Sequence, residues 1–240
     1  MEINGQQVVV VGGTSGIGLA TARAAAERGA RVAVVSARQA SVERALGQLP
    51  PGSATGHAVD VRDPAALDTV FDRIGELDHL VYTSGEALAL APVADLNLAA
   101  ARTFFEVRFF GALAAVRAAA PRLRPAGSIT LTGGAAGHRP SPGWAVAASI
   151  CGAMEGLTRE LALELAPIRV NLVRPGVVES PLWSGMGEAG QARLFEDIAA
   201  TVPVGHTGQV EEIALAYLYC MQQTYATGSI VPVDGGALLV

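Results

Sequence analysis

The 240-residue sequence contains no lysine, so all 17 of its basic residues are arginines, and it has no tyrosine between Tyr82 and Tyr217. Its two cysteines, Cys151 and Cys220, are too few for a disulfide framework or a zinc site. No apolar run reaches the roughly 18 residues of a membrane span, and the amino terminus lacks the basic and apolar regions of a signal peptide. We therefore expect a cytoplasmic protein without a metal site or a membrane partner.

The net charge and the hydrophobic content further restrict the kind of protein and the kind of ligand. The formal net charge is −5, and the arginines are scattered instead of forming the basic stripe that a nucleic-acid partner requires. Hydrophobic residues make up 50% of the chain, which is enough for the core of one α/β domain. We expect a small-molecule ligand and no nucleic acid.

Apolar β-branched runs alternate with alanine-rich stretches of helical period along the whole chain. This alternation is typical of a parallel sheet with helices on both faces and a ligand site at its carboxyl edge. We predict a Rossmann-type, doubly wound α/β fold with a seven-stranded parallel sheet, formed by residues 1–240 as a single domain. The predicted strands are 7–11, 32–35, 57–61, 79–82, 128–132, 169–173 and 230–233. The predicted helices lie near 19–28, 41–49, 98–123, 147–165 and 210–222.

A glycine-rich segment follows the first predicted strand and opens the first predicted helix. It reads Gly12-Gly13-Thr14-Ser15-Gly16-Ile17-Gly18. Glycines at 12, 16 and 18 allow a tight turn, close approach of the backbone to a pyrophosphate, and packing of the helix on the strand. The free N–H groups and positive dipole end of a helix favour phosphate. In this strand–loop–helix context the segment predicts a dinucleotide site.

The segment resembles the glycine loop of the short-chain dehydrogenase/reductase family, with Val11 in place of the usual threonine. The resemblance covers essentially the whole chain and includes Asp60-Val61, Arg169-Val170-Asn171, Pro175-Gly176, Ser180, Gly228 and Asp234-Gly235-Gly236. It implies a homotetramer or homodimer and a substrate lid near residues 182–200. It also implies that the dinucleotide contacts Gly12, Thr14, Ser15, Gly16, Ile17, Gly18, Ser36, Arg38, Asp60, Val61, Ser84, Gly85, Pro175, Gly176, Val178 and Ser180.

The end of the second strand indicates which dinucleotide is bound. NAD sites place a carboxylate there, which accepts from the ribose hydroxyls and would repel a 2′-phosphate. This chain has Ser36-Ala37-Arg38 instead, and a guanidinium suits a phosphate dianion. The residues favour NADP(H) over NAD(H); the alternative is that Arg38 is a solvated loop residue.

Enzymes of this family reduce a carbonyl by hydride transfer while a tyrosine, assisted by a lysine, a serine and an asparagine, delivers the proton. Matching on flanking residues puts Ala147 at the tyrosine position, Cys151 at the lysine, Gly134 at the serine and Arg108 at the asparagine. A register shift cannot restore the pair, since the chain has no lysine and no tyrosine in that region. A positioned general acid contributes roughly 10²–10⁴ in rate, so we expect ordinary tyrosine-dependent reduction to be absent.

Two residues are candidates to replace this set. Arg108 could stabilise an alkoxide or carboxylate, although a guanidinium pKa above about 12 makes it a poor proton donor. It could instead form a salt bridge to Glu106 or Glu155, or fill volume. His138 follows the fifth strand and carries an imidazole suited to proton transfer near neutral pH, or it is a solvated loop residue.

Three functions are compatible with these residues. The family resemblance favours an atypical NADP(H)-dependent oxidoreductase acting on a small carbonyl or alcohol. The others are a non-catalytic dinucleotide-binding sensor or partner subunit, and a non-redox isomerase or cyclase on the same scaffold. An open cavity with Arg108 directed into it favours the first or third function, whereas a cavity plugged by Trp144 or Phe109 favours the second.

Overall fold

A computed structural model describes residues 2–88 and 90–240. Seven parallel strands form one sheet in the order β3-β2-β1-β4-β5-β6-β7. They are β1 (Gln7–Val11), β2 (Arg31–Ser36), β3 (Ala54–Ala58), β4 (Leu77–Tyr82), β5 (Leu123–Thr132), β6 (Arg169–Pro175) and β7 (Ile230–Val233). The strand order reverses between β1 and β4, and ligands bind at the carboxyl edge of such a switch point.

Helices cover both faces of this sheet. They are α1 (Gly16–Glu27), α2 (Gln39–Leu46), α3 (Pro64–Ile74), α4 (Leu98–Phe105), α5 (Gly111–Ala119), α6 (Ala145–Glu164), α7 (Gly187–Thr201) and α8 (Val210–Gln222). Alternate β1 residues point to opposite faces: Val9 and Val11 pack with α3, α5 and α6, and Val8 and Val10 pack with α1 and α8. This arrangement confirms the predicted doubly wound fold.

Several predicted boundaries were wrong. The third strand begins at Ala54, three residues before its predicted start. α3 was missed, although Asp63 caps it by accepting from the Ala66 N–H at 3.0 Å and Pro64 opens it. The predicted helix 98–123 is interrupted by a π-helical turn at Glu106–Phe110. The segment proposed as a lid, residues 182–200, lies within a 3₁₀ turn at Pro181–Met186 and α7.

No helix in the part of the chain that the structure describes has the length and hydropathy needed to traverse a bilayer. The same residues contain no group of three or more His, Cys, Asp or Glu side chains arranged to hold a metal ion.

His79 is a buried titratable group in the centre of β4. Its Nε2 donates to Gln6 Oε1 at 2.8 Å, and Ser128 Oγ lies 2.8 Å from Nδ1. Burial lowers the pKa of His79 to about 4, with Arg169 contributing in the same direction. The unfolded chain binds a proton below about pH 6.5, whereas the folded one does so only near pH 4, so stability decreases as pH falls through this window.

We expect the free energy of unfolding of the wild type to fall by roughly 3 kcal/mol more than that of His79→Gln between pH 7 and pH 4. Urea titrations at a series of pH values measure this difference. The exposed His206 provides the control, since its pKa is raised by Glu212 and His206→Gln should keep the wild-type loss at acidic pH. Equal pH slopes for the wild type and His79→Gln would contradict the prediction.

Candidate functional site

A cavity of about 980 Å³ lies at the carboxyl ends of the strands. It extends from Ser36 and Arg38 at the end of β2 to Trp183 after β6. Every residue predicted to contact the dinucleotide lines this cavity, from Gly12 in the glycine loop to Ser180. The fold therefore gathers these residues from five separate stretches of the chain into one groove.

The glycine loop is packed too closely to accept side chains. Gly12 has a φ of +89°, and a Cβ there would lie 2.5 Å from the Ser84 backbone nitrogen. A Cβ on Gly18 would overlap the Gly12 carbonyl oxygen and Thr83 Oγ1. Ser15, which precedes α1, makes no side-chain cap to the helix, so the first N–H groups of α1 remain available. A backbone cradle with a bare helix amino terminus fits a pyrophosphate.

The β2 end of the cavity carries a free cation. Thr14 Oγ1 donates to Ser36 Oγ at 3.0 Å, and Arg62 pairs with Asp60 at 2.5 Å. The hydrogen bond from Arg62 is the main cause that lowers the pKa of Asp60. Arg38 is exposed, and no hydrogen bond or ion pair engages its guanidinium among the described residues. Its charge is available to an anion, unlike that of Arg62.

The four positions matched to the family's catalytic set all line the cavity. A Cβ on Gly134 would lie 3.1 Å from Cys151 Sγ, so the serine and lysine positions are adjacent. Burial raises the pKa of the Cys151 thiol, while Arg108 acts in the opposite direction. Ala147, one turn earlier on α6, adds only a methyl group. No phenol or ammonium is present at these positions.

Arg108 lies in the π-helical turn between α4 and α5. Tyr82, at the end of β4, donates its hydroxyl to the Val107 carbonyl oxygen in the same turn. Arg108 Nη2 donates to the Glu86 carbonyl oxygen at 2.7 Å, and its guanidinium carbon lies 4.4 Å from the centre of the Phe104 ring. Burial lowers the pKa of Arg108. These contacts place a desolvated cation in the cavity wall.

The salt bridges from Arg108 to Glu106 or Glu155 are absent among the described residues, and His138 makes its own contact to α6. His138 Nε2 lies 2.7 Å from Glu155 Oε1, and His138 is not among the residues that line the cavity. Glu155 also pairs with Arg159 at 3.0 Å and Arg174 at 3.3 Å. The loop after β5 directs the imidazole toward Glu155 on α6.

Glu86 is a cavity residue that the sequence analysis missed. Burial raises the pKa of its carboxyl group, with Arg108 and Arg62 opposing the shift, and its Oε2 is buried without a hydrogen-bond partner. The signal was present, because Glu86 comes directly after Gly85 at the carboxyl end of β4. It is next in sequence to a predicted site residue and lines the same cavity as Arg108.

The far wall of the cavity is aromatic. The Trp144 and Trp183 rings lie 6.2 Å apart at 58°, and Trp183 Nε1 donates to the Val178 carbonyl oxygen at 2.9 Å. Phe109 is not a lining residue and packs edge-on against Phe110. Ala147 and Trp144 both line the cavity, whose volume is about 980 Å³. Neither aromatic residue plugs the cavity.

Comparison with known proteins agrees with this geometry. Residues 2–240 match the family described as "SDR-like rossmann domain". The chain is 35% identical to the short-chain dehydrogenase/reductase ATR9 of Stachybotrys chlorohalonatus, over 99% of this chain and 98% of the relative.

Two solved structures resemble this chain over nearly their whole lengths. A small-chain dehydrogenase in complex with NADPH shares 33% identity, covers 99% of this chain and 100% of its own, and superposes with a TM-score of 0.83. The MalC reductase/Diels-Alderase from Malbranchea aurantiaca shares 27% identity over 99% and 98% of the two chains, with a TM-score of 0.91. This chain belongs to the short-chain dehydrogenase/reductase family.

Proposed function

We propose that this protein is an NADP(H)-dependent oxidoreductase that acts on a carbonyl or alcohol group of a small molecule without the family's tyrosine–lysine pair. The observation that carries the proposal is the free Arg38 guanidinium at the end of β2, in the same cavity as the glycine cradle. A family member of similar structure is described as a complex with NADPH. The dinucleotide would supply a hydride to the substrate, or accept one from it, when bound.

The chain's own residues would bind the cofactor and stabilise charge on the substrate. The glycine cradle and the first N–H groups of α1 bind the pyrophosphate, and Arg38 binds the 2′-phosphate. Arg108 stabilises negative charge on the substrate oxygen, as a preorganised cation does. Of the acids that line the cavity, Glu86 holds a proton more readily than Asp60, since burial raises the pKa of the first and Arg62 lowers that of the second.

Arg38→Ala is expected to weaken NADPH binding by about 10- to 100-fold, because it removes charge-assisted hydrogen bonds to a phosphate. NADH affinity should change by less than about twofold, since NADH lacks that phosphate. Isothermal titration with both dinucleotides measures the two effects. Arg44→Ala is the matched control, because Arg44 is also exposed, lies on α2, and does not line the cavity. Unchanged NADPH affinity in Arg38→Ala would rule out the proposed phosphate site.

A turnover screen tests the redox step itself. NADPH oxidation is followed by absorbance with aldehydes, ketones and quinones, against a blank without substrate. Oxidation above the blank supports the proposal. Tight NADPH binding without oxidation would eliminate the reductase activity for those substrates.

A second candidate function is a non-redox cyclisation or isomerisation in the same cavity. The structural relative MalC is described as both a reductase and a Diels-Alderase, and a cavity lined by a cation and two tryptophans suits a rearrangement as well as a reduction. Product formation without net consumption of NADPH would favour this function over the first. Because neither Trp144 nor Phe109 closes the cavity, a purely non-catalytic role has less support.

We also propose a homotetramer or homodimer. Leu98, Phe110 and Leu113 are exposed between the start of α4 and the start of α5, where an apolar surface would be covered by a second copy of the chain.

The proposed lid, residues 182–200, contributes Leu182, Trp183 and Ile198 to the cavity.

A further inference from the structure

Arg108 is held more rigidly than an ordinary surface arginine. Phe104 lies under its guanidinium at 4.4 Å, and its Nη2 is bonded to the Glu86 carbonyl oxygen. A Cβ on Gly85 would overlap the guanidinium carbon and both terminal nitrogens, so the β4 backbone packs directly against the group. A guanidinium fixed in this way loses little conformational freedom when it binds a ligand.

The charge of Arg108 has no ion-pair partner in the part of the chain that the structure describes. None of the carboxylates in the described ranges 2–88 and 90–240 lies within ion-pair distance of it. The charged and titratable groups that act on it are Glu86, Cys151 and Tyr82, and burial raises the pKa of the Glu86 carboxyl group. Arg108 Nε is also buried without a hydrogen-bond partner. A desolvated cation without a counter-ion is costly, and an anionic ligand would remove that cost.

The cavity that Arg108 lines is wide, at about 980 Å³, and much of its wall is apolar. Leu88, Ile150, Leu182, Trp144 and Trp183 contribute to that wall. The other three positions matched to the family's catalytic set, 134, 147 and 151, carry Gly, Ala and Cys and also line the cavity. Apolar walls exclude water and strengthen the attraction between a fixed charge and its ligand.

We propose that Arg108 anchors an anionic oxygen, a carboxylate or an enolate, on a ligand that is otherwise hydrophobic and large enough to contact Trp144 and Trp183. The proposal names a substrate class for the site described above. It rests on the proposed function in one respect: the dinucleotide occupies the other end of the cavity and leaves this end to the ligand.

A matched pair of probes tests this inference: 2-naphthoate carries the anion, and 2-naphthamide has the same ring system without the charge. Binding is followed by tryptophan fluorescence and by isothermal titration, with saturating NADP⁺ present. We expect the wild type to bind naphthoate about 10- to 100-fold more tightly than the amide, which is the range for hydrogen bonds to charged groups. In Arg108→Gln this preference should fall below about threefold.

Two further variants separate ligand binding from folding. Gly85→Ala keeps the charge but displaces the guanidinium, so it should also reduce the preference for naphthoate. Arg139 lines the same cavity and donates to the Ala237 carbonyl oxygen at 2.6 Å; Arg139→Gln should keep the wild-type preference. Circular dichroism and thermal melting show whether each variant is folded.

The inference is overturned if the wild type binds naphthoate no better than the amide, or binds neither probe. A preference that persists in folded Arg108→Gln, or that disappears in Arg139→Gln, overturns it as well. NADP⁺ affinity is measured separately on the same samples. A protein that prefers naphthoate through Arg108 but does not bind NADP⁺ would contradict the proposed function and leave this inference standing.

Discussion

Gly12→Ala is expected to weaken NADPH binding by roughly 100-fold or more, because an alanine at this φ costs about 1–3 kcal/mol in strain before any collision is counted. The added Cβ would also lie 2.5 Å from Ser84 N and 2.7 Å from the Thr83 carbonyl carbon. Both are backbone atoms at the end of β4, so neither can rotate away as a side chain could. The turn between β1 and α1 would have to move, and the N–H groups of the cradle would move with it.

Isothermal titration of Gly12→Ala with NADPH measures this loss, and thermal melting reports the accompanying decrease in stability. Gly156→Ala is the matched control. Gly156 lies within α6, and a Cβ there would meet nothing within 4 Å, so alanine should raise stability by about 0.5–1 kcal/mol through helix propensity. Its NADPH affinity should stay within about twofold of the wild type. A folded Gly12→Ala that binds NADPH normally would exclude the glycine loop as the phosphate site.

Installing the missing pair, Ala147→Tyr with Cys151→Lys, is expected to raise NADPH-dependent ketone reduction by about 10²-fold or more, the range for a positioned general acid. The two positions are one turn apart on α6 and both line the cavity. The gain should increase when Arg108→Asn is added. Arg108 acts electrostatically on position 151, and its positive charge would repel a lysine ammonium there.

Ala147→Phe with Cys151→Lys is the control for this gain, since it matches the ring and the charge and lacks only the hydroxyl. Initial rates of NADPH oxidation are compared across a panel of ketones. If the tyrosine variant reduces no ketone faster than the phenylalanine variant, the cavity does not hold substrate in the geometry that the family uses. That outcome would favour the cyclase or isomerase function for this scaffold.

Much of the fold could be predicted from local patterns. β1, β7 and α8 occupy the predicted residues, because a run of β-branched residues or an amphipathic helix is encoded by its own sequence. The interruption of the long helix at Glu106–Phe110 could not be predicted in this way. It is associated with the bond from Tyr82 to Val107, a contact between residues 25 positions apart.

Some features of the candidate site could likewise be predicted from the sequence, and others could not. Composition alone determined that this chain has no lysine, and that no tyrosine is available between Tyr82 and Tyr217. No tertiary structure can supply a side chain that the sequence does not contain. The glycine loop can likewise be recognised from the sequence alone, since its chemistry depends on the backbone and on the absence of Cβ atoms.

The directions of the remaining side chains were decided only by the tertiary structure. His138 turns to Glu155 on α6, while Arg108 packs against Gly85 and Glu86, which lie 22 or more residues away in the chain. Glu86 holds its proton more readily because of the atoms that bury it. Orientation and desolvation depend on neighbours brought together by folding, so residue type and spacing could nominate Arg108 and His138 but could not distinguish between them.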